Sequence, residues 1–241
     1  MIDMVEGWAE KWPDAFVLAK SPEDIKAQFG GGKVSIVMAM ENGTPLEGDL
    51  ANIEHFYSRG IRYITLVHSK CNHICDSSFD PERKWGGLSP FGRDVVAEMN
   101  RVGMMIDVAH ASDDSFYQVV ELSKAPVVAT HTACRHFTPG WERNMDDTMI
   151  KLLAEKGGTV QIAFGSGFVN GEINAISSNR KKQIFEYLKT SDLSPDEQEK
   201  YLDDYVRAHP LPRADISDVV ANIDHVVNLV GINHVGLGSD F

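Results

Sequence analysis

Between residues 102 and 131 two short apolar runs each end in a histidine. The first, Val-Gly-Met-Met-Ile-Asp-Val-Ala-His, stops at His110, and the second, Pro-Val-Val-Ala-Thr-His, stops at His131. Runs of Val, Ile, Met and Ala, bounded by Gly or Pro and separated by a helix-like segment, predict strands buried on both faces of a parallel sheet. Two consecutive βα units then carry imidazoles to the same end of that sheet. In parallel α/β folds ligands gather at the carboxyl ends of strands, so residues there are the first candidates for chemistry.

The same alternation extends along the chain. Residues 3–11 have helical character, and Ser21 followed by Glu23 and Asp24 predicts an N-cap with an acidic first turn for a short helix through Phe29. The glycines at 30–32 end it; with no preceding strand and no Gly-Lys-Ser/Thr they are not a phosphate loop. Residues 33–41 read as one buried strand stopping at Glu41. A helix over 49–59, with Leu50, Ile53 and Phe56 on one face, leads to a strand over 62–68 ending in His68. A polar loop over 69–90 precedes a helix over 91–101, and Ser112 is placed to cap a helix reaching Lys124.

Beyond His131 come an irregular arm (132–145), a helix (146–156) and a strand (159–164) with no titratable residue at its end. Residues 170–212 form a long charged insertion, helical around 181–188 and 195–207, suited to cover or to form an interface over one end of the domain. A helix over 216–229 leads to a last strand over 234–241, which contains Asp240. Six strands, each joined to the next through helices, favour a (β/α)8-type barrel over a doubly wound sheet, yet six do not close such a barrel.

At 241 residues the chain suits one domain. A net charge of -12 with 43% hydrophobic residues fits a soluble globular protein and argues against a nucleic-acid footprint. No apolar run approaches the roughly 18 residues of a membrane span. The amino terminus has no signal-peptide pattern, which leaves the compartment, cytoplasm or periplasm, undecided. Cys71, Cys75 and Cys134 make no disulfide framework, and Cys71-Asn-His73-Ile-Cys75 lacks the second ligand pair of a structural zinc site.

Five strands thus place Glu41, His68, His110, His131 and Asp240 at their carboxyl ends, where a barrel would make them converge. Carboxylate and imidazole suit Zn, Mn or Fe, and an ion with an open position lowers the pKa of a bound water toward about 7. No G-x-S-x-G elbow occurs and no cysteine sits in a catalytic setting. The residues alone point to a metal-assisted hydrolase.

Seven motifs, in order, resemble the membrane (renal) dipeptidases of peptidase family M19. They are Met-Glu-Asn-Gly at 40–43, Tyr-Ile-Thr-Leu-Val-His at 63–68 and Gly-Leu-Ser-Pro-Phe-Gly-Arg at 87–93. Ile-Asp-Val-Ala-His-Ala-Ser at 106–112, Ala-Thr-His-Thr-Ala at 129–133, Arg-Asn-Met-Asp-Asp at 143–147 and the closing Gly-Leu-Gly-Ser-Asp-Phe complete the set. The resemblance implies a (β/α)8 barrel with a binuclear zinc site that hydrolyses dipeptides, often with a D-residue at the carboxyl end. It implies Glu41 as the bridging carboxylate, His110 and His131 as imidazole ligands of one metal, and His68 as a donor to the tetrahedral intermediate. Arg143 would grip the substrate carboxylate, and Asp240 would handle the substrate amine and proton transfer. A homodimer is also implied, with residues 170–212 as a candidate contact. His136, His225 and His234 read as structural, and Asp107 as a residue that points into the barrel or orients a ligand imidazole.

The family opens with a strand ending in His-x-Asp, and no His-x-Asp occurs here. The match, running from about Lys33, places residues 33–41 at the third barrel strand, so the first two strands and the final helix are expected to be missing. Three consequences are expected: exposed strand edges prone to pairing, at most one tightly held divalent ion, and little activity from this stretch alone. Two alternatives remain beside a dipeptidase, a non-catalytic binding protein derived from the barrel and a barrel amidohydrolase with a non-peptide substrate.

Overall fold

A computed structural model of the protein describes residues 1–240. Its contacts separate two compact units, Met1–Ala129 with Leu152–Gly158, and Thr130–Lys151 with Thr159–Phe241.

The first unit contains α1 (Ile2–Lys11), β1 (Phe16–Leu18), α2 (Pro22–Gln28), β2 (Val34–Ile36), β3 (Met38–Glu41), α3 (Ala51–Ser58), β4 (Ile61–Thr65), α4 (Pro90–Val102), β5 (Met105–Asp107), α5 (Asp113–Leu122) and the start of β6 (Val128–Thr132). Its helices begin where the sequence supplies an oxygen for an orphan N–H. Ser21 Oγ accepts from Asp24 N at 3.1 Å, Ser89 Oγ from Gly92 N at 2.8 Å, and Ser112 Oγ from Ser115 N at 3.2 Å. Ile53, Ile64, Val95, Met99, Ile106 and Phe116 fill the core between strands and helices.

Residues 33–41 form two strands rather than one. Val34–Ile36 pairs in parallel with Phe16–Leu18 as a separate two-stranded sheet, and Met38–Glu41 pairs with β4. One apolar run serves two sheets, so the chain must turn between Ile36 and Met38, and Val37 is left 41% exposed. The partner β1 is only three residues long, too short to show a period.

The main sheet follows the order β3-β4-β5-β6-β7-β8, and β3-β4, β4-β5, β5-β6 and β7-β8 pair in parallel. Each strand lies beside its successor in sequence, with no reversal. A doubly wound sheet reverses at a switch point; the unbroken order is that of a (β/α)8 barrel, represented by six strands among the described residues.

The second unit completes β6 and holds most of α6 (Asp147–Glu155), then β7 (Thr159–Ile162), α7 (Ser166–Val169), α8 (Gly171–Thr190), α9 (Pro195–Ala208), α10 (Ile216–Val230) and β8 (Val235–Leu237). Met149, Val160, Ile162, Val169 and Val226 are buried in it. Two buried asparagines knit its irregular arm together. Asn144 Oδ1 accepts from Ala133 N at 3.0 Å while its amide donates to Thr138 Oγ1 and Phe168 O, both at 2.8 Å. Asn222 Oδ1 accepts from Cys134 N at 3.0 Å and its amide donates to Val169 O at 3.2 Å.

The insertion is α8 and α9, with α8 far longer than the apolar spacing predicts. Tyr187 of α8 stacks on Tyr201 of α9 at 4.4 Å, an aromatic contact between two otherwise charged helices, and Tyr205 stacks on His209 at the end of α9 at 4.2 Å. Among the described residues no helix is long and apolar enough to cross a membrane.

Candidate metal centre

Glu41 is the last residue of β3 and is in register with Thr65 of β4, which is in register with Asp107 of β5. The two histidines expected at strand ends lie three residues farther on, His68 after Thr65 and His110 after Asp107. Asp240 stands at the same offset from Leu237, the last residue of β8. The pairing therefore stops first and a short loop turns each functional side chain. His110 takes φ +66° and Asp240 φ +62°, left-handed conformations unusual for residues with a Cβ.

This turn brings Glu41, His68 and His110 together, with one donor atom from each lying within 4.8 Å of the others. His110 Nε2 is 3.2 Å and His68 Nε2 3.8 Å from Glu41 Oε1. The two imidazole rings are 4.3 Å apart, and Phe79 lies 5.6 Å from His110. His110 is buried, whereas the side chains of Glu41 and His68 are 49% and 44% exposed. Burial behind and access in front suit a centre that must meet a substrate.

Hydroxyl and main-chain contacts hold the two histidines in place. Ser69 Oγ pairs with His68 Nδ1 at 2.9 Å, which leaves Nε2 to face Glu41. The loop over 69–89 grips both histidines by their carbonyls: Ser77 Oγ donates to His68 O, and Ser78 N donates to His110 O at 2.8 Å. Asp76, fully buried, organises that loop by accepting from Lys84 N at 2.8 Å and Gly87 N at 3.1 Å. Burial works to raise its carboxyl, but these N–H donors outweigh it and hold Asp76 below the ordinary carboxylate range. Asp107, expected to orient an imidazole, accepts from Thr65 Oγ1 at 2.5 Å and Ala109 N at 3.0 Å, fixing the turn that leads to His110.

One carboxylate and two imidazoles form a hard-to-borderline N/O donor set, which fits a divalent ion such as zinc. The sequence pattern groups Glu41 with His110 and His131; the structure groups Glu41 with His110 and His68. His131 belongs to the second unit, within β6, where its Nδ1 pairs with Thr130 Oγ1 at 2.9 Å. Both His68 and His131 thus have a hydroxyl residue next to them in sequence that engages Nδ1.

Arg143 also lies in the second unit. It is 3% exposed, donates from Nη2 to His131 O at 2.7 Å, and lies over the Phe168 ring at 5.0 Å. A surface arginine would sample many rotamers; this one has its plane set from two sides. His225, read as structural, meets Asp147 at 2.8 Å and stacks on His136 at 4.4 Å. All three cysteines are free and buried, and burial pushes the Cys134 thiol up to about 12.

A parallel α/β sheet of unreversed order, with a carboxylate and two imidazoles gathered just beyond its strand ends, is the arrangement of a barrel whose mouth could hold a divalent ion. The profile of the membrane dipeptidases, peptidase family M19, matches residues 1–241, and the chain belongs to that family. It is 30% identical over 242 residues to dipeptidase aclJ of Aspergillus oryzae and 29% identical over 240 residues to dipeptidase tcpJ of Claviceps purpurea. All of this chain is covered in both matches, against 48% and 47% of the relatives, so the chain spans about half the length of the curated relatives it matches. Among solved structures, the probable dipeptidase PvdM of Pseudomonas aeruginosa superposes with a TM-score of 0.87 at 28% identity, covering 100% of this chain and 66% of that one. A metallo peptidase of Rhodobacter sphaeroides, liganded with a phosphinate mimic of L-Ala-D-Ala, gives 0.75 at 25% identity, covering 99% and 59%.

Proposed function

We propose that the protein is a zinc-dependent dipeptidase that accepts dipeptides, including those with a carboxyl-terminal D-residue. The observation that carries this reading is the clustering of Glu41, His68 and His110 at the strand ends of a chain that belongs to a dipeptidase family.

Glu41 and His110, with His131 on the family pattern, would hold the ion; when bound, it supplies an acidified water and polarises the scissile carbonyl. His68 is assigned to the substrate rather than the ion. Its ring is the more exposed of the two and stands farther from Glu41, and with Nδ1 engaged by Ser69 its Nε2 can donate to the carbonyl oxygen as charge develops there. Arg143 binds the substrate carboxylate, a task for a planar guanidinium of fixed orientation. Asp240 receives the substrate amine and moves the proton to the leaving nitrogen. Assembly is as a homodimer through α8 and α9.

The test is hydrolysis of Ala-Ala and L-Ala-D-Ala by the zinc-loaded protein, with bound metal measured in parallel. Turnover abolished by a chelator and restored by zinc is expected. His68→Ala should lower kcat and leave metal content unchanged, and Arg143→Lys should raise KM for a dipeptide but not for its carboxyl-amidated form. Tight dipeptide binding without cleavage would replace this reading with that of a binding protein.

A further inference from the structure

Beside the metal centre, in the same unit, a cavity of about 620 Å³ shares His68 as part of its wall. Its other walls come from Asn42 and Thr44 after β3 and from the loop that carries Lys70, His73, Lys84 and Trp85. Its volume falls within the range of small-molecule pockets. Its charge is unlike that of the molecule. The chain has 35 acidic against 23 basic residues, yet two lysines and two histidines line this cavity and no carboxylate does.

Glu41 faces His68 at the metal centre, and the two acids of the loop are largely engaged by main-chain donors. Asp76 accepts main-chain donors from Lys84, Trp85 and Gly87, and Asp80 accepts from Cys71 N at 3.1 Å and Glu82 N at 3.2 Å. Each ammonium uses one of its three donors on the protein, Lys70 on Asp80 at 3.3 Å and Lys84 on Cys71 O at 3.2 Å. Trp85 is pinned through Nε1 to Asn72 O at 2.8 Å, giving a fixed flat apolar wall. His73, stacked on Phe91 at 5.3 Å, has a buried Nε2 with no hydrogen-bond partner in the structure. A cavity with an apolar side, spare cationic donors at its rim and a wall in common with the metal centre has the chemistry to receive a short acidic side chain.

We propose that this cavity receives the side-chain carboxylate of one residue of the substrate, so that the preferred dipeptides contain aspartate or glutamate. The inference rests on the dipeptidase reading given above. Lys84 and Lys70 attract the carboxylate, Trp85 packs its methylenes, and the loop organised by Asp76 keeps the donors in place before substrate arrives. Because the lysines stand at an exposed rim, salt weakens the preference.

Calorimetric titration of the zinc-loaded protein with phosphinate dipeptide analogues tests this. One analogue carries two methyl side chains; two others carry a carboxyethyl group at one residue or the other. One carboxyethyl analogue should bind at least about tenfold tighter than the dimethyl compound, which is about 1.4 kcal/mol. Lys84→Gln and, independently, Lys70→Gln should shrink that ratio, and Lys84→Glu should invert it. Dimethyl and carboxyethyl analogues of equal affinity would overturn the proposal and leave the dipeptidase reading standing; no binding of any analogue would remove both.

Discussion

Thr65 Oγ1 donates to Asp107 Oδ2 at 2.5 Å, joining β4 to β5 immediately before the turns that carry His68 and His110. Both residues are buried, so little solvent competes for the bond. Thr65→Val keeps the shape and removes one donor from a buried carboxylate, which should cost about 1–3 kcal/mol. Urea unfolding measures it, and Thr65→Ser should recover most of the loss. Unchanged stability of the valine variant would mean that Asp107 is satisfied without Thr65.

Removal of either strongly placed donor at the centre should empty it. Glu41→Gln and His110→Ala are expected to lower affinity for zinc by more than the tenfold to hundredfold typical of lost supporting contacts. Elemental analysis after dialysis reads this directly, with circular dichroism to show that the fold persists. Zinc retained by both variants would place the ion elsewhere.

Acid should loosen the loop that grips the two histidines. Asp76 is held below its ordinary value, so it contributes stability that is fully present above about pH 4 and is lost as pH falls through its folded value. Thermal unfolding followed from pH 6 to pH 2.5 should show Asp76→Asn less stable than the parent at pH 6, with the gap narrowing as the solution becomes more acidic. A gap constant over that range would assign the effect to something other than ionisation.

Gly92, in the first turn of α4, is required by closeness rather than by backbone conformation. A Cβ there would stand 2.1 Å from Ile74 O, the same carbonyl that accepts from Ser89 N at 2.9 Å. Gly92→Ala should therefore destabilise by about 1–3 kcal/mol, or several degrees in melting temperature. Differential scanning calorimetry is the measurement.

Much of this arrangement is legible in the sequence because buried strands and capped helices leave local marks. The strand ending at Glu41, the Ser21 and Ser112 caps and the helix and strand leading to Asp240 are each written within a few residues. What escapes is set by partners distant in sequence. Residues 33–41 read as one strand because nothing local says that Phe16–Leu18 takes the front half. His68 reads as a strand end because only pairing with β5 shows that the ladder stops at Thr65. The grouping of His68 with Glu41 and His110 arises in the same way, since the turns that direct these rings are held by Ser77 and Ser78 from a loop with no periodic signal. The burial of Arg143 is likewise invisible until Phe168 and the carbonyl of His131 are known to surround it.

That last contact separates two properties that one residue would otherwise bind together. Arg143 is anchored to the main chain of residue 131, and a carbonyl is present whatever amino acid occupies the position. The guanidinium can therefore outlast the histidine: a lineage that exchanged His131 would surrender an imidazole without releasing the arginine. On the roles proposed above, metal binding by His131 and carboxylate capture by Arg143 would in this sense be separable, since the contact that places Arg143 does not depend on the imidazole.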